Sequence, residues 1–108
     1  MKNERLQQLL NYLTDDPGDP FLIYAVAMEY KPTDPDQAME YLRKLLNDHP
    51  DYVPTYYHAA EILVEKQGRE DDIKAVFEKG ITVAREAGDH KALQELKTAY
   101  TNWEFENL

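Results

Sequence analysis

The stretch LLNDHPDYVPTYY, Leu45–Tyr57, has a partial copy upstream in YLTDDPGDPFLIY, Tyr12–Tyr24, at an offset of 33 residues. Each reads as an apolar helix end, a short acidic stretch, a Pro, a second Pro and a fresh aromatic-rich start. Pro cannot continue a helix interior but is at home in a first turn, so a pair of prolines around a few acids stops one helix and starts the next. The same punctuation used twice at a fixed interval is the signature of an internal repeat.

Working outward, apolar residues recur at spacings of three and four, the period of an amphipathic helix. Six such stripes are present: Leu6, Leu9, Leu10, Leu13; Ile23, Val26, Ala27, Tyr30; Ala38, Leu42, Leu45, Leu46; Tyr56, Ala59, Ala60, Leu63; Ile73, Val76, Phe77, Gly80, Ile81; and Leu93, Leu96, Tyr100, Trp103. Asp19 with Pro20, and Asp34 with Pro35, read as N-caps followed by a first-turn Pro, and Gln37 completes a capping-box pattern. Asp51 is the candidate cap of the following helix, with Pro54 in its first turn. Gly68 and Gly88 read as helix-ending glycines. Loops this short make neighbouring helices antiparallel hairpins.

The stripes share a register. Ile23, Val26, Ala27 and Tyr30 precede Tyr56, Ala59, Ala60 and Leu63 by 33 residues, and Ala38, Leu42 and Leu45 precede Ile73, Phe77 and Gly80 by 35. The change of offset is expected in the turn, with EKQGRE two residues longer than KPTD. Leu9, Tyr12, Leu13 and Pro17 stand 33 residues before Leu42, Leu45, Leu46 and Pro50.

This resembles the tetratricopeptide repeat, a helix–turn–helix unit of about 34 residues with the pattern W-x2-L-G-x2-Y…A-x3-F…P. Here the units read Ile23-x2-Val26-Ala27-x2-Tyr30, Ala38-x3-Leu42 and Pro50, then Tyr56-x2-Ala59-Ala60-x2-Leu63 and Ile73-x3-Phe77. Neither unit has the Trp or the first-helix Gly, and Arg85 stands where the second would end in Pro, so that helix is expected to run on to Gly88. The resemblance spans residues 5–85. It implies an all-α chain of antiparallel hairpins stacked as a short right-handed solenoid. The parts are an N-terminal half-repeat over about 3–16, repeats over about 19–50 and about 51–87, and a capping helix over about 89–106. Gly80 falls where the family prefers a small residue.

Composition bounds the chemistry. The chain has 108 residues, 43% of them hydrophobic, enough for one domain with a core. No apolar run is long enough to span a bilayer, and MKNERLQQLL lacks the apolar region of a signal peptide. Cysteine is absent, which removes disulfides and thiol chemistry and favours a cytoplasmic location. The net charge is −9, spread evenly: residues 1–54 carry 5 basic and 10 acidic side chains, residues 55–108 carry 7 and 11. Such a surface repels nucleic-acid phosphates and anionic lipid, so neither is an expected partner.

No catalytic constellation assembles. His49, His58 and His90 lack metal-ligand spacing. Counting an EF-hand loop from Asp34 puts Met39 and Leu45 at its sixth and twelfth positions, and from Asp15 puts Pro20 and Val26 there. There is no phosphate-cradling Gly loop. The reading is a non-enzyme with no metal or cofactor.

In the family, the first helices of successive units line a concave groove. Residue by residue, the resemblance places the groove stripe at Tyr24, Ala25, Met28 and Lys31, and at Tyr57, His58, Glu61 and Val64. The Lys and Asn with which some members clamp a terminal carboxylate are missing from these positions. The expected partner is therefore a neutral or basic peptide or protein segment with an aromatic or aliphatic anchor. The alternative is self-assembly as a homodimer through the C-terminal helix, using Trp103, Phe105 and Leu108. Within that helix Lys91, Gln94, Glu95, Lys97, Asn102 and Glu104 are expected to face outward, and Trp103 to anchor the core.

Overall fold

The computed structural model describes residues 3–108 and, among them, contains six α-helices and no strand. They are α1 (Glu4–Asp15), α2 (Pro20–Tyr30), α3 (Pro35–Asp48), α4 (Pro54–Glu65), α5 (Glu70–Ala87) and α6 (His90–Glu106). The fold is the expected all-α helical-repeat one. The chain divides into two compact units, Met1–Tyr52 and Val53–Leu108.

In the first unit α2 packs against both α1 and α3. The stripe of α1 is only half-buried, whereas Ile23, Val26 and Ala27 of α2 and Ala38, Leu42 and Leu45 of α3 are completely covered. Met39, outside the expected stripe, is buried with them. The Asp19 and Asp34 side chains cap as the sequence implies, but the Asp34 N–H donates to the Tyr30 carbonyl at 2.7 Å and leaves no reciprocal role for the Gln37 side chain of the expected capping box. One Asp19 carboxylate oxygen accepts from the Phe21 and Leu22 amides at 2.9 and 3.4 Å, and an Asp34 oxygen accepts from the Gln37 amide at 3.1 Å. Each satisfies first-turn N–H groups that have no partner within the helix. Asn3 does the same for Leu6 at 3.0 Å, and its side-chain amide also donates to Glu29, which pairs with Arg5 at 3.2 Å and so ties α1 to α2.

In the second unit α5 packs against α4 and α6, and α4 meets α6. The α4–α5 contact rests on one close approach. A Cβ built on Gly80 would lie 2.6 Å from Tyr56 Cβ and 2.9 Å from its Cγ, well inside contact distance. Tyr56 is 1% exposed, so its ring has nowhere to retreat. The positions that share this register in the first unit hold Ile23 and Leu45. Where one repeat uses two middling side chains, the other uses a large one and none.

Three details differ from the sequence reading. Asp51 does not cap α4. Pro54 occupies the first helical position, which puts Val53 at the N-cap, where it makes no side-chain bond, and leaves Asp51 exposed and too early in the chain to reach the free amides. Gly68 is not the left-handed residue of its turn. Gln67 is, at φ 54°, and Gly68 donates to the Leu63 carbonyl at 2.8 Å in a Schellman-type closure. Gly88, at φ 70°, does play the role assigned to it. Finally, the connections 31–34 and 66–69 are equal in length, so the offset change does not lie in the turn. It lies in α4, which continues past Leu63 through Val64 and Glu65, whereas α2 stops at Tyr30, the counterpart of Leu63.

The last helix is held by an aromatic ladder. Phe77 of α5 stacks on Tyr100 of α6 with centroids 5.0 Å apart, and Trp103 lies 6.2 Å from Tyr100 and 6.4 Å from Phe77. Trp103 is 7% exposed, and Leu96 two turns earlier on α6 is buried as well, so the expected core anchor is one. Tyr100 Oη donates to a Glu78 carboxylate oxygen at 3.0 Å. Burial, that hydrogen bond and the negative charges of Glu78 and Glu104 push its pKa up to about 12.

Gly80→Ala is expected to lower stability by about 1–2 kcal/mol, a Tm fall of several degrees, because overpacking costs more than the roughly 1 kcal/mol that Ala gains in helix propensity. Gly18→Ala is the control: its Cβ would meet nothing within 4 Å, so thermal unfolding should show no loss. Tyr100 binds its proton more tightly folded than unfolded, where its pKa is about 10. Its contribution is therefore complete below pH 10 and is lost as pH rises through 12. Denaturation followed against pH should show Tyr100→Phe losing less stability than the wild type across that window.

Candidate functional site

The second unit carries an open groove of about 290 Å³ between α4 and α6. Tyr57, Glu61, Val64 and Glu65 form its α4 wall, and Ala99, Asn102, Trp103 and Glu106 its α6 wall, with Phe77 of α5 below. Val64 and Glu65 are the residues by which α4 outruns α2, so this end of the wall has no helical equivalent in the first unit. A shallower trough continues towards the start of α6, where Tyr57 faces Gln94, Glu95, Thr98 and Ala99.

The lining is apolar at the bottom and acidic at the rim. Val64 and Ala99 offer carbon surface above the nearly buried rings of Trp103 and Phe77, both of which stack on Tyr100. Glu61, Glu65 and Glu106 stand around them, and Glu95 lines the continuing trough. No Lys, Arg or His is found among the described residues that line either hollow.

Three of the eight stripe residues expected from the sequence, Tyr57, Glu61 and Val64, thus line one groove. His58, half-buried, holds its ring edge-on to that of Tyr57 at 5.5 Å. The other four lie in the first unit. Tyr24, Ala25 and Met28 are half-buried on α2, and Lys31 sits at its C-cap, beyond the last helical residue. Tyr24 leans on Tyr52, centroids 5.7 Å apart at 56°. Burial first, and the neighbouring Tyr52 second, raise the Tyr24 phenol above its ordinary pKa; burial and Asp19 do the same to Tyr52. Tyr24 is accordingly an amphipathic residue with its ring partly spent inside its own unit.

The sequence reading missed the α6 wall. Glu95, Thr98, Ala99, Asn102 and Glu106 fall at positions i, i+3, i+4, i+7 and i+11, and so occupy one helical face. That periodicity was available, but the residues are small or polar and read as solvated surface. What makes them a wall is the aromatic ladder that fixes which way α6 turns.

No family model and no curated protein sequence matches this chain. Among solved structures, the crystal structure of a tetratricopeptide repeat domain protein from Salinibacter ruber matches with a TM-score of 0.75 and 39% identity, covering 80% of this chain and 96% of that one. A solution NMR structure of a tetratricopeptide repeat domain protein from the same organism gives a TM-score of 0.74 and 39% identity, over 82% of this chain and 89% of that one. With the Pro-punctuated repeat, the shared register and the small residue at Gly80 all in place, the chain belongs to the tetratricopeptide repeat family.

Proposed function

We propose that this protein is a non-catalytic interaction module that binds a neutral or basic peptide or protein segment, with the α4–α6 groove as its principal contact. A tetratricopeptide fold implies protein partners in general. The observation that carries the finer reading is that an open hollow with an aromatic floor contains Tyr57, Glu61 and Val64. Buried carbon surface supplies binding energy, while a few polar groups around it set orientation. Tyr57 is 36% exposed and offers a large, stiff, amphipathic surface of the kind enriched at binding hot spots. Tyr24, Ala25, Met28 and Lys31 form a further contact stripe on the first unit.

Peptides selected from a displayed random library on the wild-type protein test this. Tyr57→Ala is expected to weaken the selected peptides about tenfold or more while leaving the thermal midpoint nearly unchanged. A surface control, Tyr12→Ala, should change neither. Equal affinity for Tyr57→Ala and wild type overturns the groove.

Self-association is the second reading, and one observation favours it: Phe105 is 76% exposed and Leu108 98%. Trp103 is spent inside its own unit, so a homodimer would rest on Phe105 and Leu108. Light scattering should then give a larger mass for the full chain than for one ending at Glu104. Equal monomeric masses remove this reading.

A further inference from the structure

We infer that the occupant of the α4–α6 groove is a cationic side chain, Lys or Arg, presented by a partner peptide between apolar neighbours. This rests on the reading of the chain as a peptide-binding module and narrows it from neutral or basic to basic. Two independent features of the same hollow select that chemistry. The floor, Val64 and Ala99 over the nearly buried rings of Trp103 and Phe77, suits a hydrocarbon stem. The rim holds Glu61, Glu65 and Glu106, with Glu95 further along and no basic side chain among the described lining residues.

The sizes agree. A hollow of about 290 Å³ lies at the small end of ligand pockets, room for one long side chain and part of a neighbour. A cleft lined by charge of one sign concentrates its field and raises the local density of the opposite charge. A neutral anchor would gain only the floor. An acidic segment would be repelled by rim and surface alike, and so would a second copy of this chain, whose net charge is −9. The extension of α4 is what builds the feature. Without Val64 and Glu65 in helical register, one apolar contact and one carboxylate would leave the wall.

The test uses the full chain, labelled for NMR, and three synthetic peptides of the sequence Gly-Ala-Leu-X-Leu-Ala-Gly with X as Arg, Gln or Glu. The Arg peptide is expected to shift the Trp103 indole N–H and the amides of Glu61 and Asn102. The Gln peptide should bind about tenfold more weakly, and the Glu peptide more weakly still. Glu65→Gln/Glu106→Gln should remove most of the preference for Arg, whereas Glu40→Gln/Asp48→Asn, which deletes the same charge from α3, should keep it. Raised salt should erode the preference, since exposed charges are screened within about 10 Å at 0.1 M. Equal affinity for the Arg and Gln peptides at these same signals overturns the cation while leaving the groove as a peptide site. Shifts that track protein concentration instead of peptide would make a second copy the occupant and overturn the proposal. No shift at α4 or α6 with any peptide overturns both it and the groove.

Discussion

The second unit depends on the contact between Tyr56 and Gly80. A helix pair can approach only as closely as the side chains between them allow, and here one helix supplies a full tyrosine ring and the other no side chain at all. The ring takes the space that a Cβ would need, which fixes the two helices in both separation and register. Everything further along α5 inherits that placement. Phe77 lies one turn before Gly80, on the same buried side, so setting Gly80 against Tyr56 also sets where Phe77 projects.

Phe77 then carries α6. Its stacking on Tyr100, with Trp103 alongside, fixes the roll of the last helix about its own axis. Once that roll is fixed, Ala99, Asn102 and Glu106 have a single place to go, opposite Val64 and Glu65 of α4. The groove is thus a by-product of the core. Its floor lies over the nearly buried rings of Phe77 and Trp103, whose main task is to hold the helices together, so the floor is stiff.

Acidic residues serve two separate ends in this chain. Asp19, Asp34 and Asp89 cap α2, α3 and α6 and are structural. Glu61, Glu65 and Glu106 make no such local contribution to a helix start, and they line one hollow from two helices far apart in sequence, with Glu95 in the trough beyond. Net charge alone, −9 over the chain, does not separate these groups, because a carboxylate that caps a helix and one that edges a groove count the same.

Much was legible in the residues. The Pro–acid punctuation, the three-four spacing of apolar side chains and the register shared by successive segments gave six helices and the repeat family, since all three are local or periodic properties of the chain. Errors arose where a choice hung on one residue's position. Asp51 is a good cap that stands too far from the helix start set by Pro54. Gln67 and not Gly68 takes the left-handed turn, because helix α4 carries on longer than its counterpart and moves the closure with it. The α6 wall of the groove was invisible for a different reason: polarity says that a face can meet water, not which neighbour stands across it. The order and kind of the helices were therefore determined by the sequence by itself, through propensity, capping and period. The groove was decided only by tertiary structure, because the roll of α6 is set by ring stacking between Phe77 of α5 and Tyr100 of α6, a contact that no local or periodic property of the chain encodes.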